Sequence, residues 1–267
     1  MLIDPFSNSW IEELDARAAS LDRSDRLFLF VDGAFVPNLH KWLPADRKAL
    51  LFALLPGCSE TAEAASPFLT PYERDNKQLK TLLQRCDRWP MLSAITTSEP
   101  LGQLAERLAA WCVIGADDQR FNLRFPDTRR LPAIFGVLTA QQRAAFAGSM
   151  KRWSYMGRDG RWNELPVTAT SSDGEATPIL NQPQFASLVD DSRADELLVL
   201  LRDRGHDVFR LPSRSHSLLS IALRAACATQ LDNGDILPWC AWFWKQDKLH
   251  DDSVAAELLQ SWQNKSS

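Results

Sequence analysis

A short polar segment, residues 168–177 (TATSSDGEAT), divides this sequence into two parts with different patterns. Its residues are small or polar and include no large apolar side chain, which is typical of a linker or an exposed loop. Strand and helix patterns alternate before it, whereas helical spacing dominates after it. We therefore predict an α+β protein with a mixed α/β lobe around a central sheet at residues 1–167, a linker at 168–180 and an all-helical lobe at 181–267.

The strands of the first lobe are predicted from four patterns. Residues 27–31 (LFLFV) form a continuous apolar run that ends at a turn, as expected of a buried strand. Residues 91–97 end in β-branched side chains, which favours a second strand. Residues 121–125 (FNLRF) alternate apolar and polar side chains and predict a half-buried strand. Residues 151–167, with glycines near their middle, predict a β-hairpin.

Helices are predicted where apolar residues recur three or four positions apart. In the first lobe this spacing follows Asp75 and Pro100, and a third helix is expected to begin at Pro126 and continue to Leu138. Thr139 has Gln142 three residues later, which is the pattern of a capping box at a helix start. The helical stripes of the second lobe are at residues 197–201, 218–226 and 254–262.

The net charge and the cysteine pattern limit the cellular compartment and the classes of binding partner that we expect for this chain. The formal net charge is −4, so the chain as a whole does not attract phosphate backbones or anionic lipid. Its most apolar run, residues 49–55, is far shorter than the ~20 residues of a membrane span, and the first residues lack the pattern of a signal peptide. The 5 cysteines are odd in number and widely spaced, which favours free thiols. We expect a cytoplasmic protein without a membrane or nucleic-acid partner.

No motif of a catalytic or metal centre occurs in the sequence. The cysteines form no C-x-x-C pair, and the histidines form no H-E-x-x-H arrangement. Neither phosphate-binding glycine motif is present. Pairs of aspartates occur, but such pairs are favoured at loops and helix starts. We therefore expect no catalytic residue, no metal and no cofactor.

An aromatic run in the second lobe, residues 238–244 (PWCAWFW), is a candidate partner surface. Neighbouring residues of a helix point about 100° apart, so one face cannot hold all of these rings. Either some of them are exposed and contact a partner, or both sides of the helix pack between the lobes. The candidate partner-binding residues are Trp239, Trp242, Phe243 and Trp244.

The order of segments in the first lobe resembles the type VI secretion adaptor family, whose members are called Tap or TEC proteins. The resemblance runs from about residue 27 to residue 162 and rests on residues 27–34 (LFLFVDGA), 49–57, 66–72 (SPFLTPY), 93–111 and 121–148. It implies a chaperone that binds a toxic effector protein and loads it onto the VgrG-type spike of the secretion apparatus. It implies no enzymatic activity.

The most specific part of this resemblance is an Arg-Phe-x-Asp-x-Arg motif at Arg124, Phe125, Asp127 and Arg129. The family usually has an aromatic residue and a proline at the intervening positions, where this sequence has Pro126 and Thr128. We expect the charged residues of the motif to form a network that fixes the turn between a strand and a helix. Their predicted role is structural.

The leading hypothesis is therefore an effector-binding chaperone that works by holding its partner. A second hypothesis is a small-molecule enzyme on the α/β lobe, with Asp32, Asp127 and His216 as its candidate polar residues. A third is a nucleic-acid-binding protein that uses the arginines between residues 120 and 161.

Overall fold

The computed structural model describes residues 2–116, 119–168, 178–246 and 251–266. The chain forms two compact units: residues 5–189, and residues 1–4 together with residues 190–267. We call the first the α+β unit and the second the helical unit. The fold class predicted from the sequence is confirmed. Most of the predicted linker lies outside the described residues, and the predicted lobe boundaries stay a prediction.

The α+β unit is built on a 6-stranded sheet in which every neighbouring pair is antiparallel. The strand order is β2-β3-β1-β4-β7-β8. A separate hairpin contains β5 and β6. The strands are β1 (Arg26–Val31), β2 (Ala49–Leu50), β3 (Phe68–Pro71), β4 (Leu92–Thr97), β5 (Val113–Ala116), β6 (Gln119–Asn122), β7 (Met150–Met156) and β8 (Trp162–Glu164).

Helices α1 to α6 belong to the α+β unit, α8 to α10 to the helical unit, and α7 begins in the first unit and ends in the second. Short 3-10 helices lie at Leu39–Trp42, Ala45–Arg47 and Phe52–Leu54. None of the helices, over the described residues, is long and apolar enough to cross a bilayer. The helices are α1 (Trp10–Ala19), α2 (Glu60–Ala64), α3 (Lys77–Gln84), α4 (Leu101–Ala110), α5 (Leu131–Val137), α6 (Ala140–Ala147), α7 (Gln182–Asp203), α8 (Pro212–Ala228), α9 (Asn233–Trp244) and α10 (Asp252–Ser266).

The predicted strands of the central sheet and the predicted hairpin are confirmed. β1 and β4 pair along their full lengths, and both are almost entirely buried. Burial on both faces explains the continuous apolar sequence of β1. β7 and β8 form the predicted hairpin. The capping box at Thr139 is present, because its side chain accepts from the backbone N–H of Gln142 and the Gln142 side chain accepts from the Thr139 N–H.

Two predicted boundaries near the motif were wrong. The strand predicted at 121–125 ends at Asn122, and the helix predicted to begin at Pro126 begins at Leu131. A turn occupies the residues between them, because the Asp127 side chain accepts a hydrogen bond from the Arg129 backbone N–H. A side-chain bond of this kind competes with helix formation at the position where the helix was expected.

One face of the sheet and helices α4, α5 and α6 enclose the main core of the α+β unit. At its centre the rings of Phe30, Phe125, Phe146 and Trp153 contact one another, with centroid separations between 5.1 and 6.4 Å. Offset and edge-to-face pairs of this kind stabilise a core beyond the burial of their area. Since Phe125 directly follows Arg124, this packing fixes where the motif leaves the hairpin.

The helical unit encloses a second core between α7, α8, α9 and α10. The start of α8 has no capping side chain of its own, since its N-cap residue is Leu211. The carboxylate of Asp4 instead accepts bonds from the backbone N–H of Ser213, at 3.2 Å, and from the Ser213 hydroxyl. Residues 1–4 are therefore part of the helical unit, although 185 residues of the other unit follow them.

Candidate functional site

The turn that follows β6 is fixed by an ion pair between Asp127 and Arg129. One Asp127 oxygen accepts from the Arg129 backbone N–H and from its Nε, both at 3.0 Å, and the other accepts from Nη2 at 2.7 Å. The Asp127 side chain is only 5% exposed. The backbone N–H of Thr128 also donates to the Pro90 carbonyl, just before β4. The network predicted for these two motif residues therefore exists.

A second ion pair joins the turn to the end of β1. Asp32 accepts from the backbone N–H of Ala34 at 3.0 Å and from Nη2 of Arg124 at 2.8 Å. Burial raises the pKa of Asp32, and the Arg124 guanidinium opposes that rise. Whereas Asp32 is 2% exposed, the Arg124 side chain is 45% exposed, so this arginine connects a buried carboxylate to the protein surface.

An aromatic side chain that sequence reasoning missed lies against both arginines. The guanidinium carbons of Arg124 and Arg129 are 5.6 and 6.0 Å from the ring centroid of Phe35. Phe35 in turn lies 5.7 Å from Trp89. Cation–π contacts of this length hold guanidinium groups in a fixed orientation. No local pattern marked Phe35, because its role depends on a contact with residues about ninety positions away in the sequence.

A small cleft lies beside Arg124. Its volume is about 160 Å³, and apolar atoms form most of its lining. Asp32, Asn122 and Arg124 provide its polar wall. Among its apolar lining residues are Phe52, Ala65, Pro67, Cys112 and Pro126.

Comparison with known families locates a match over this part of the chain. Residues 27–145 match the model of a family described as a domain of unknown function, DUF4123. We call this segment the DUF4123 region. It extends from β1 into α6, so it contains both ion pairs and the β5–β6 hairpin, and it leaves out the helical unit. Neither the curated proteins nor the solved structures gave a match.

Phe125, the remaining residue of the predicted motif, belongs to the core of the DUF4123 region. Its side chain is fully buried, stacked on Phe30 at 5.6 Å and edge-on to Phe146 at 5.1 Å. Its position anchors the chain between the two arginines that flank it. All of the motif residues named from the sequence thus lie at one turn, three in ion pairs and one in the core.

The aromatic run of α9 lies outside the DUF4123 region and divides into buried and half-buried side chains. Trp239 and Phe243 are fully buried in the helical core, so these two predicted partner-binding residues serve packing instead. Trp239 also donates from Nε1 to the Ala222 carbonyl at 2.9 Å. Trp242 and Trp244 are half-buried and stay candidates for partner contact.

A cleft of about 380 Å³ lies next to Trp244. The indole Nε1 of Trp244 donates to the Ser215 hydroxyl at 3.1 Å, and its ring meets His206 edge-on at 5.5 Å. The exposed side chain of Leu211 and two arginines complete the lining with Asp207 and Leu218.

The candidate residues of the small-molecule-enzyme hypothesis lie in different environments. Asp32 and Asp127 each accept from an arginine of the DUF4123 region, while His216 lies on α8 of the helical unit, in a cleft with Ser220 and Cys227. Within the described residues, no group of three histidine, cysteine, aspartate or glutamate side chains could hold a metal ion. Cys86, Cys112 and Cys240 are buried, and burial raises the pKa of each thiol to about 12.

Several basic residues between 120 and 161 pair with carboxylates or lie over an aromatic ring. Arg124 and Arg129 neutralise buried carboxylates, and Lys151 lies 2.8 Å from Asp25. Arg152 approaches Glu164 at 3.5 Å, and Arg143 stacks over Phe135 at 5.9 Å. Pairing of this kind lowers the positive potential that a phosphate backbone requires.

Proposed function

We propose that this protein is a non-enzymatic adaptor that binds a type VI secretion effector in the cytoplasm and helps to load it onto a VgrG-type spike protein. The observation that carries the proposal is the DUF4123 match over residues 27–145. That domain is associated with type VI secretion effectors. The order of segments between residues 27 and 162, which resembles that of the type VI secretion adaptor family, supports the same proposal.

The geometry of the motif supports binding as the mode of action. A general base needs a carboxylate that can accept a proton from a substrate, and a nucleophile needs an accessible, activated atom. The carboxylates of Asp32 and Asp127 are buried and each accepts from a guanidinium group. The two ion pairs fix the turn after β6 and the loop after β1, so the surface formed by these two segments keeps one conformation.

Co-expression tests this proposal. The chain is produced with the protein encoded by the neighbouring toxin gene and with the spike protein, purified through a tag on the chain, and analysed by size-exclusion chromatography. We expect a stable complex with the effector, and we expect the effector to remain soluble at concentrations at which it aggregates alone. A toxin from an unrelated secretion cluster serves as the control. If neither the effector nor the spike protein co-purifies, the proposal is wrong.

A further inference from the structure

The β5–β6 hairpin has one covered edge and one open edge. Beside β5, the Gly115 N–H donates to the Pro178 carbonyl and the Gly115 carbonyl accepts from the Leu180 N–H, each at 2.9 Å. Residues 178–180 therefore run along β5 as a short parallel neighbour. β6 pairs with β5 alone among the described residues. A sheet edge of this kind presents unpaired backbone groups to another chain.

The register shows which backbone groups of β6 point outward. Since both polar groups of Gly115 point away from β6, Gly115 and the residue opposite it, Arg120, form a non-hydrogen-bonded pair. Hydrogen-bonded and non-bonded pairs alternate along an antiparallel ladder, so the pair of Val113 with Asn122 is also non-bonded. The N–H and C=O groups of Arg120 and Asn122 therefore point away from β5, toward the open edge.

The next pair along the ladder agrees with this register. The Leu123 N–H donates to the Cys112 carbonyl at 2.9 Å, so residue 123 points its backbone toward β5. Residues of one strand that are two apart share a face of the sheet. Arg120 and Asn122 consequently lie on one face of β6, and both are exposed. Arg124, two residues after the end of β6, lines the cleft of about 160 Å³ together with Asn122.

The charges along this face select the partner. Arg120 is exposed, and the cleft beside Asn122 and Arg124 has an apolar lining that fits a small apolar side chain. A second copy of the same strand would bring like charges together, which disfavours pairing between two copies. An acidic strand would instead place a carboxylate opposite Arg120, whereas the guanidinium group of Arg124 already pairs with Asp32.

We propose that an extended, acidic segment of the effector adds as a strand beside β6. Its backbone pairs with the outward groups of Arg120 and Asn122, one of its carboxylates faces Arg120, and one small apolar side chain occupies the cleft. Addition of a strand to an open sheet edge is a common mode of peptide recognition, in which the backbone supplies affinity and the side-chain pockets supply specificity. This inference rests on the proposed function, since it names the surface that holds the effector.

Amide hydrogen exchange in the complex provides the direct test. The effector complex from the co-expression experiment is compared with the free chain, and exchange is followed at single amides of residues 119–125. We expect the amides of Arg120 and Asn122 to become protected in the complex. The Leu123 amide is already bonded to Cys112, so it serves as the internal reference.

Two matched variants separate the backbone contribution from that of the side chain at residue 122. Asn122→Pro removes the outward N–H, and proline is tolerated on an edge strand where that N–H faces away from the neighbour. Asn122→Ala removes the side chain and keeps the N–H. We expect Asn122→Pro to raise the Kd for the effector about tenfold above that of Asn122→Ala, the size of one or two lost hydrogen bonds.

A charge reversal tests the acidic character of the partner. Arg120→Glu is expected to raise the Kd about tenfold at low ionic strength and to weaken its salt dependence. Arg161→Glu is the matched control, because it makes the same charge change at an exposed residue just before β8. We expect the control to change the Kd less than twofold.

The outcomes distinguish this inference from the proposed function. If the wild-type chain forms no effector complex, the proposed function is wrong and the inference falls with it. If the complex forms while the amides of Arg120 and Asn122 exchange as in the free chain, only the inference is wrong. Equal affinities for the Asn122→Pro and Asn122→Ala variants, or protection of the edge by dimers of the free chain, would also overturn it.

Discussion

The two units stabilise their interiors by different means. Among the described residues, the α+β unit buries Asp32, His40 and Asp127 together with several serine and threonine side chains. Among the described residues of the helical unit, the buried polar side chains are Asp195 and Ser215, and the large buried side chains, such as Trp239 and Phe243, are apolar. Burial of a polar group is costly unless that group is hydrogen-bonded, whereas burial of an apolar group is favourable by itself.

The stability of each unit should therefore be sensitive to a different kind of change. The helical unit should respond mainly to the loss of side-chain volume, since its core depends on packing. The α+β unit should respond to the loss of a charge partner and to pH, since part of its interior depends on ion pairs and on the protonation state of buried groups. Four substitutions test this contrast.

Trp239→Ala should destabilise the helical unit by about 3–5 kcal/mol, because it leaves a large cavity and removes the hydrogen bond that the indole Nε1 donates to the Ala222 carbonyl. The loss is read from urea unfolding followed by far-ultraviolet circular dichroism. Trp244→Ala, at a half-buried residue of the same helix, should cost clearly less. Equal losses for the two variants would contradict the central position of Trp239.

Asp127→Ala should lower the free energy of unfolding of the α+β unit by about 2 kcal/mol, because it removes the buried carboxylate that accepts three hydrogen bonds from Arg129 and fixes the turn after β6. Unfolding in urea, monitored by tryptophan fluorescence, measures the loss. The control is Asp159→Ala in the exposed turn between β7 and β8, where the carboxylate accepts only from the Arg161 N–H and the expected loss is below about 1 kcal/mol. An unchanged stability for Asp127→Ala would show that the ion pair contributes nothing.

Asp4→Ala should cost the helical unit about 1 kcal/mol, the usual value for loss of an N-cap, because Asp4 caps α8 from a distance in the sequence. Asp4→Asn keeps an acceptor oxygen and should retain most of the stability. Thermal unfolding of both variants checks the order. If Asp4→Ala matches the wild type, the cap is not significant in solution.

His40 should make the α+β unit less stable in mild acid. Its ring is buried, neither ring nitrogen has a hydrogen-bond partner within the described residues, and burial lowers its pKa, with nearby Lys48 acting in the same direction. The unfolded chain therefore binds the proton first, so stability is constant well above about pH 6.5 and falls as the pH drops toward the lowered pKa.

The expected loss from this histidine between pH 7 and pH 6 is no more than about 0.7 kcal/mol. His40→Phe removes the titrating group, so its free energy of unfolding should vary less over this range than that of the wild type. Urea unfolding at several pH values gives the comparison. A variant that loses stability in parallel with the wild type would assign the pH dependence to other groups.

The parts of the fold that the sequence predicted correctly are those set by local patterns. β1 follows from a continuous apolar run, β4 follows from the β-branched residues near its end, and the start of α6 follows from a cap and its partner three residues later. The ends of β6 and α5 were not predictable in this way, because the packing of Phe125 against Phe30 and the bond from Arg129 to Asp127 decide them. Tertiary contacts overrode the alternating pattern.

The candidate site was predictable only in part for the same reason. The motif residues could be named from the resemblance, but the contact of Phe35 with both arginines joins distant parts of the chain. The open edge of β6 depends on which strand lies beside β5, and residues 178–180 occupy that place. The aromatic run of α9 was conspicuous in the sequence, yet half of its candidate residues proved to be core.

The cap on α8 also constrains the order of folding. Asp4 and Ser213 are 209 residues apart, so a ribosome must add the whole intervening chain before the two can meet. Closing a loop of that length in a disordered chain carries a large entropic cost, and prior folding of the intervening unit shortens the distance to be searched. We expect the first four residues to dock late, after both units have acquired most of their structure.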